Sequence, residues 1–235
     1  MTPLTTPSLS IIIPVLNEAR GIVALLQSVQ GLRAAGGEII VVDGGSSDNT
    51  LALAQALADL VTTAPRGRSC QMNAGAAIAH APALLFLHAD TVLPEGALGS
   101  VLEAIQQGAV WGRFDVAISG SASGLRLIGT MMNWRSRLSG IATGDQAIFV
   151  RRDVFEQIGG FSDLPLMEDI EFSRRMKRIG RPACLSEKVI TSGRRWEKHG
   201  VLRTILLMWS LRLRYFFGAD PADLAREYGY APRQP

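Results

Sequence analysis

Three short apolar runs constrain this chain most: 9–15 (LSIIIPV), 38–42 (EIIVV) and 83–87 (ALLFL). Between them lie stretches at 22–29, 50–58 and 69–79 that read as helices, from apolar residues at helical spacing or from Ala- and Leu-rich composition. Continuous apolar strands alternating with helices predict an α/β fold with a mostly parallel sheet covered on both faces. The chain is 47% hydrophobic and 19% charged, enough apolar residue to bury such a core and to exclude a disordered or fibrous chain. No linker or repeat interrupts 1–235, which predicts one domain with a ligand-binding half over 9–118 and a second half over 119–235. In sheets of this kind ligands sit outside the carboxyl ends of the strands, so the polar residues that follow each strand matter most.

Those residues are Asn17 and Glu18 after the first run, Asp43 to Thr50 (DGGSSDNT) after the second, and His88, Asp90 and Thr91 after the third. Asp48 and Thr50 are accounted for as a helix cap and the glycines as a turn. Asp43, placed on the strand end itself, is not. Asp90 at a strand end can hold Mg²⁺ or Mn²⁺, hard ions that take oxygen ligands and bridge to diphosphate; the alternative is a helix cap or a solvated acid. Glu168 and Asp169 open an amphipathic helix over 169–179, either as dipole-favoured acids or with Asp169 as a general base for an acceptor hydroxyl. Arg194, Arg195 and Trp196 follow a strand expected at 189–191. They suit phosphate binding and stacking on a sugar, or else form a solvated basic loop. His199 reads as structural.

The second half predicts a half-exposed strand at 111–118, a flexible loop at 120–124, a helix at 125–138, a strand at 146–150, a short helix at 153–158, a turn at 159–161 and a long apolar helix at 201–217. Charge is uneven: residues 1–120 carry 5 basic and 9 acidic side chains, residues 121–235 carry 19 and 12. A basic second half suits an anionic ligand or surface. It lacks interleaved aromatics and any nucleic-acid module, which argues against nucleic acid. A G-x-G-x-x-G turn after a strand, a Walker A loop and a G-x-S-x-G elbow are all missing. Two cysteines, Cys70 and Cys184, exclude a disulfide framework or cysteine zinc cluster. The first eight residues hold no Lys or Arg before the apolar run, unlike a signal peptide, and no apolar stretch reaches the length of a membrane span, so a cytoplasmic protein is expected.

The pieces SIIIPVLNE (10–18), VVDGGSSDNT (41–50), GRSCQMNAG (67–75), LFLHADTVLP (85–94), LMEDIEFSRR (166–175) and SGRRW (192–196) fall in one order along the chain. Together they resemble family 2 glycosyltransferases of the GT-A fold. HADT, GDQAIFVRR (144–152) and SGRRWEKHG look like a subgroup labelled arsenosugar-biosynthesis glycosyltransferases. The resemblance implies transfer from a nucleotide sugar, with UDP-sugar the first expectation, and inversion at the anomeric carbon. It implies that Pro14, Asn17 and Glu18 lie beside the nucleotide, Asp43 on base or ribose, and Arg68 near base and phosphates. Asp90 would be the metal-binding final Asp of the DXD motif, Asp169 the base of the ED motif that begins at Glu168, and Arg195 and Trp196 the closing RW pair. His88 replaces the usual first Asp of DXD, which removes a negative charge and leaves an imidazole able to bond ribose, phosphate or metal. The processive members carry Q-x-x-R-W and membrane spans; this chain has S-G-R-R-W and none, which favours single-sugar transfer.

Around the helix at 201–217 the arginines do not segregate to one face, so burial against the sheet or a homodimer contact leads, with peripheral contact at the inner membrane face as the alternative. Acceptor choice is expected to lie in 120–139. Two rival functions share the strand-end acids: a nucleotidyltransferase, which needs no acceptor-side base, and a non-catalytic sugar-nucleotide binder.

Overall fold

The computed structural model describes residues 6–230. The expectation of a missing leader rests partly on residues 1–5, and the expected domain also takes in 231–235; both stretches lie outside the described residues. In chain order the first half runs β1 (Leu9–Val15), α1 (Ile22–Ser28), α2 (Gln30–Ala34), β2 (Gly37–Asp43), α3 (Thr50–Gln55), β3 (Leu60–Thr63), α4 (Arg68–Ile78), β4 (Ala83–Phe86), β5 (Thr91–Val92) and α5 (Ala97–Gln106). The second half adds β6 (Trp111–Ser119), α6 (Leu125–Ser139), a 3-10 turn (Gly144–Gln146), β7 (Ile148–Arg151), α7 (Arg152–Gln157), α8 (Glu168–Met176), β8 (Ala183–Ser192), α9 (Arg194–His199), α10 (Val201–Phe216) and α11 (Pro221–Tyr228).

All eight strands join one curled sheet in the order β3-β2-β1-β4-β7-β6-β8-β5. β3, β2, β1 and β4 pair in parallel, β7 runs antiparallel to β4 and β6, and β6 is again parallel to β8. Alternation along β1 explains why both faces are covered. Ile11 and Ile13 pack with Leu25 and Leu26 of α1, while Ile12 joins Met72 and Ala76 of α4 on the other face. That second face is closed by aromatic rings, with Phe161 and Phe172 stacked at 4.4 Å and Phe86 edge-on to Phe161 at 4.9 Å. Burying each such ring or branched side chain contributes about 1.5–3 kcal/mol. The chain leaves β1 toward β2 on one side and returns to β4 on the other. The carboxyl ends of β1 and β4 therefore flank a topological switch point, where the diverging loops open a crevice.

Strand 111–118 is not half-exposed. β6 is buried along nearly its whole length, because α6 covers the face that its alternation leaves polar. Arg113 there is fully buried. It bonds Asp115, donates through Nε to Ser136 Oγ at 3.1 Å and through Nη2 to the Asn133 carbonyl at 3.3 Å. Asp115 also accepts from Arg137 Nη2 at 2.8 Å. The expected basic loop at Arg194–Trp196 is a short helix, α9. The helix at 201–217 is not laid against the sheet: α10 buries only Thr204 and Leu211 and leaves Leu202, Leu206, Trp209, Leu213 and Phe216 at least 60% exposed.

Candidate active site

The loops after β1 and β2 are latched to each other before they meet any ligand. Asn17, held at φ 54°, accepts from Ser47 N at 2.8 Å and donates its own N–H to Ser46 Oγ at 2.8 Å. Glu18 N donates to Thr50 Oγ1 at 2.8 Å and Ala19 N to Asp48 Oδ2 at 3.1 Å, so Asp48 and Thr50 bind the neighbouring loop as well as each other. Asp43, 3% exposed, accepts from Gly45 N at 2.9 Å and Ser46 N at 2.8 Å. Gln71 of α4, not singled out in the sequence, clamps the two strand ends by donating to the Val15 and Val42 carbonyls, both at 2.8 Å.

These loops bound a cavity of about 460 Å³ lined by Pro14, Glu18, Arg68, Gln71, His88 and Asp90 among others, a size suited to a nucleotide-sized ligand. Burial raises the Glu18 carboxyl above its usual range; Arg194 opposes this, and Asp90 and Asp48 add to it. Glu18 and Asp90 thus share the cavity with Arg66 and Arg68. Arg68 begins α4, lies 3.9 Å from Glu168, and donates to the Tyr230 hydroxyl, whose ring centre is 5.1 Å from the guanidinium.

A second, smaller cavity of about 60 Å³ lies beyond His88 and shares Arg68 and His88 with the first. Its wall includes Asp145, Glu168, Asp169, Arg212 and Tyr228. His88 is wedged against Gly144, where a Cβ would find no room, and its Nδ1 is 3.7 Å from Asp145 Oδ1. Burial opposes ionisation of Asp145, yet His88, Arg68 and Arg212 hold its carboxyl below the usual range. Asp169 accepts from Gly144 N at 2.9 Å and from Ile170 N at 2.7 Å, which aims the carboxylate across the turn. Glu168 is buried, and burial with Asp169 beside it raises its carboxyl despite Arg68. A buried carboxyl raised in this way beside a second acid is a feature of acid–base sites. Met167, which precedes them, has φ 69°, backbone strain of the sort that collects at functional sites.

Pro14, Glu18, Arg68, His88 and Asp90 thus meet at the larger cavity, and Arg68 and His88 connect it to Glu168 and Asp169. Asn17 and Asp43 support the loops rather than line either cavity. Arg195 lies 3.8 Å from the Tyr228 ring centre and bonds the Tyr228 carbonyl at 3.2 Å. Trp196 packs on an apolar cluster with Leu125, Ile128, Val201 and Ile205. Burial, with Tyr230 beside it, pushes the Tyr228 hydroxyl up to about 12. Gln71, Asp145, Tyr228 and Tyr230 were not singled out in the sequence; the YGY run at 228–230 is the one local hint of the tyrosines.

Among the described residues no three His, Cys, Asp or Glu side chains stand together as a metal cage. The oxygens of Asp90 and Glu18 nonetheless fit a hard cation brought in on a diphosphate. Such a cation needs only one or two protein carboxylates.

The fold is that of the GT-A glycosyltransferases, as the family match and the likeness to solved structures show. Residues 10–159 match the glycosyl transferase family 2 model, and the chain belongs to that family. A PGL/p-HBAD biosynthesis glycosyltransferase of Mycobacterium tuberculosis is 36% identical over 99 residues, 39% of this chain and 39% of that protein. The chain thus matches about two fifths of the length of the curated relatives it resembles. Among solved structures, S. aureus TarS 1–349 in complex with UDP-GlcNAc superposes with a TM-score of 0.65 at 19% identity, over 79% of this chain and 58% of that one. Mannosyltransferase PcManGT from Pyrobaculum calidifontis in complex with GDP-Man and Mn²⁺ gives 0.60 at 18% identity, over 79% and 57%.

Proposed function

We propose that the chain is an inverting transferase that moves one sugar from a nucleotide sugar, a UDP-sugar first, to a hydroxyl of a separate acceptor. The observation that carries this reading is the pair of joined cavities, one with Asp90 and Arg68, the other with Asp169, meeting at His88. The donor fills the larger cavity, its nucleoside beside Pro14 and Glu18, while Asn17 and Asp43 hold the loops that carry them. Arg68 and Arg195 lie toward the diphosphate, and Trp196 braces the helix that carries Arg195. A divalent cation held by Asp90, when bound, neutralises the charge that grows on the departing diphosphate. The acceptor oxygen attacks the anomeric carbon from the face opposite the leaving group. Its proton passes to Asp169, and the electron pair of the broken bond leaves with the diphosphate. The first half of the chain serves the donor and the second half the acceptor, within one domain.

The complexes of the two neighbours with nucleotide sugars support this reading. A nucleotidyltransferase would leave Asp169 in its separate cavity without a task, as would a sugar-nucleotide binder. Calorimetry tests the donor half: Asp90→Ala weakens UDP binding about tenfold with Mn²⁺ present and changes it less than twofold in chelator, since one charge-assisted contact is worth roughly that much. Equal loss in both conditions refutes the metal assignment.

The exposed stripe of α10 continues on α6, where Leu127, Met131, Trp134 and Leu138 are all more than half exposed. The two helices lie side by side, with Val201 against Gly124 and Ile205 in one cluster with Ile128. Together they carry six arginines and no acidic residue. No helix among the described residues is long and apolar enough to cross a membrane. We infer that this face docks on an anionic bilayer, apolar stripes in the interface and the exposed Arg126, Arg137, Arg203 and Arg214 at the headgroups, at the inner face of the membrane of a cytoplasmic enzyme. The protein is expected to float with vesicles containing 30% phosphatidylglycerol (roughly that fraction gives a strong surface potential) at low salt, and Leu206→Glu/Trp209→Glu to stay behind. A wild-type protein that fails to float and elutes as a dimer assigns the stripe to a second copy instead.

A further inference from the structure

Among the described residues, the buried side-chain nitrogens with no hydrogen-bond partner are Arg135 Nε and Nη2 and Arg212 Nε. Every such orphan falls on one pair of side chains, Arg135 of α6 and Arg212 of α10. Buried donors are nearly always satisfied, and like charges are not ordinarily buried together. The two arginines lie near enough for each to feel the charges of Asp145 and Asp169, yet neither forms an ion pair with them. Burial, and then the charge of Arg212, brings Arg135 down to about 10, and burial lowers Arg212 as well. Arg212 lines the smaller cavity, on the Asp169 side of His88; Arg68, which lines both cavities, already has Tyr230 and Glu168 as partners. The unmatched charge of Arg212 therefore faces the cavity where the acceptor, not the donor diphosphate, would lie, with Arg135 close enough to it for their charges to interact.

We propose that Arg135 and Arg212 bind an oxyanion carried by the acceptor, a phosphate monoester, and so fix its hydroxyl against Asp169. Two guanidinium forks offer the several directed N–H donors that a tetrahedral oxyanion accepts, and the anion removes the repulsion between them. This inference rests on the assignment of Asp169 to the acceptor side.

The probe is methyl phosphate, titrated into the full chain by calorimetry and thermal shift, with UDP plus Mn²⁺ titrated in parallel. Wild type binds methyl phosphate saturably and its Tm rises. Arg135→Gln and Arg212→Gln each weaken that binding about tenfold or more, keep UDP affinity within about twofold, and in phosphate-free buffer melt no lower than wild type, because a buried repulsion is gone. Unchanged methyl phosphate affinity in both variants overturns the proposal, as does an equal loss of UDP. Vesicles containing phosphatidic acid separate the sources. Loss of binding to them in the variants, beside loss of methyl phosphate, points to a lipid headgroup; loss of methyl phosphate alone points to a soluble phosphate. If wild type binds methyl phosphate through the two arginines but no nucleotide, the oxyanion site stands and the transferase reading falls.

Discussion

Asp169→Asn lowers the transfer rate about 10²–10⁴-fold, the usual contribution of a general base, while UDP affinity stays within about twofold. The amide keeps the shape and the oxygen that accepts from Gly144 N, but cannot take up a proton. The Asp169 carboxylate is held by two backbone N–H groups and forms no ion pair among the described residues, so the fold should persist, with Arg135 and Arg212 losing one nearby negative charge. A progress curve with donor in excess, beside a UDP titration, checks both parts. Wild-type turnover in the variant would remove Asp169 from the reaction.

The largest effect on stability is expected from Asp115→Ala. Arg113 is fully buried, and Asp115 is its only carboxylate partner among the described ion pairs. Deleting the acid strands that guanidinium and also frees Arg137. Breaking a buried pair from one side costs about 3–5 kcal/mol, which for a chain of this size lowers Tm by about 6–20 °C. Replacing both partners, Arg113→Met with Asp115→Leu, should recover most of the loss, because no unpaired charge is then buried. A thermal melt of the single and double variants reads this directly. A single variant that melts with wild type would mean that the Arg113 cluster carries no net stability.

β1, β2 and β4 were legible because strands buried on both faces must be apolar throughout, and their polar ends then mark the crevice. β6 was misread because alternation reports a polar face without saying what covers it. Here α6 covers it, and an ion-pair network makes its burial tolerable. The strand-end acids could be named from sequence, but their division of labour could not. Asp43 turns inward to bind its own loop, while Asp90 faces the cavity. The contact of the C-terminal tyrosines is harder still: Arg68 meets Tyr230 across 162 residues, and no local pattern encodes that contact. α11 itself carried a readable start, Asp220 as cap with Pro221 at the first turn. The Arg135–Arg212 pair was present as two basic residues in two helices. Its burial depends on those helices lying side by side, which periodicity alone does not reveal.

One crevice with donor and base in adjoining chambers makes a sharp demand on binding. UDP calorimetry with Mn²⁺ on Asp90→Ala and Asp169→Asn, side by side, tests it most directly. The expected result is a cation-dependent loss for the first variant and near wild-type affinity for the second. Affinity lost equally in both, or in neither, would contradict the division between the two chambers.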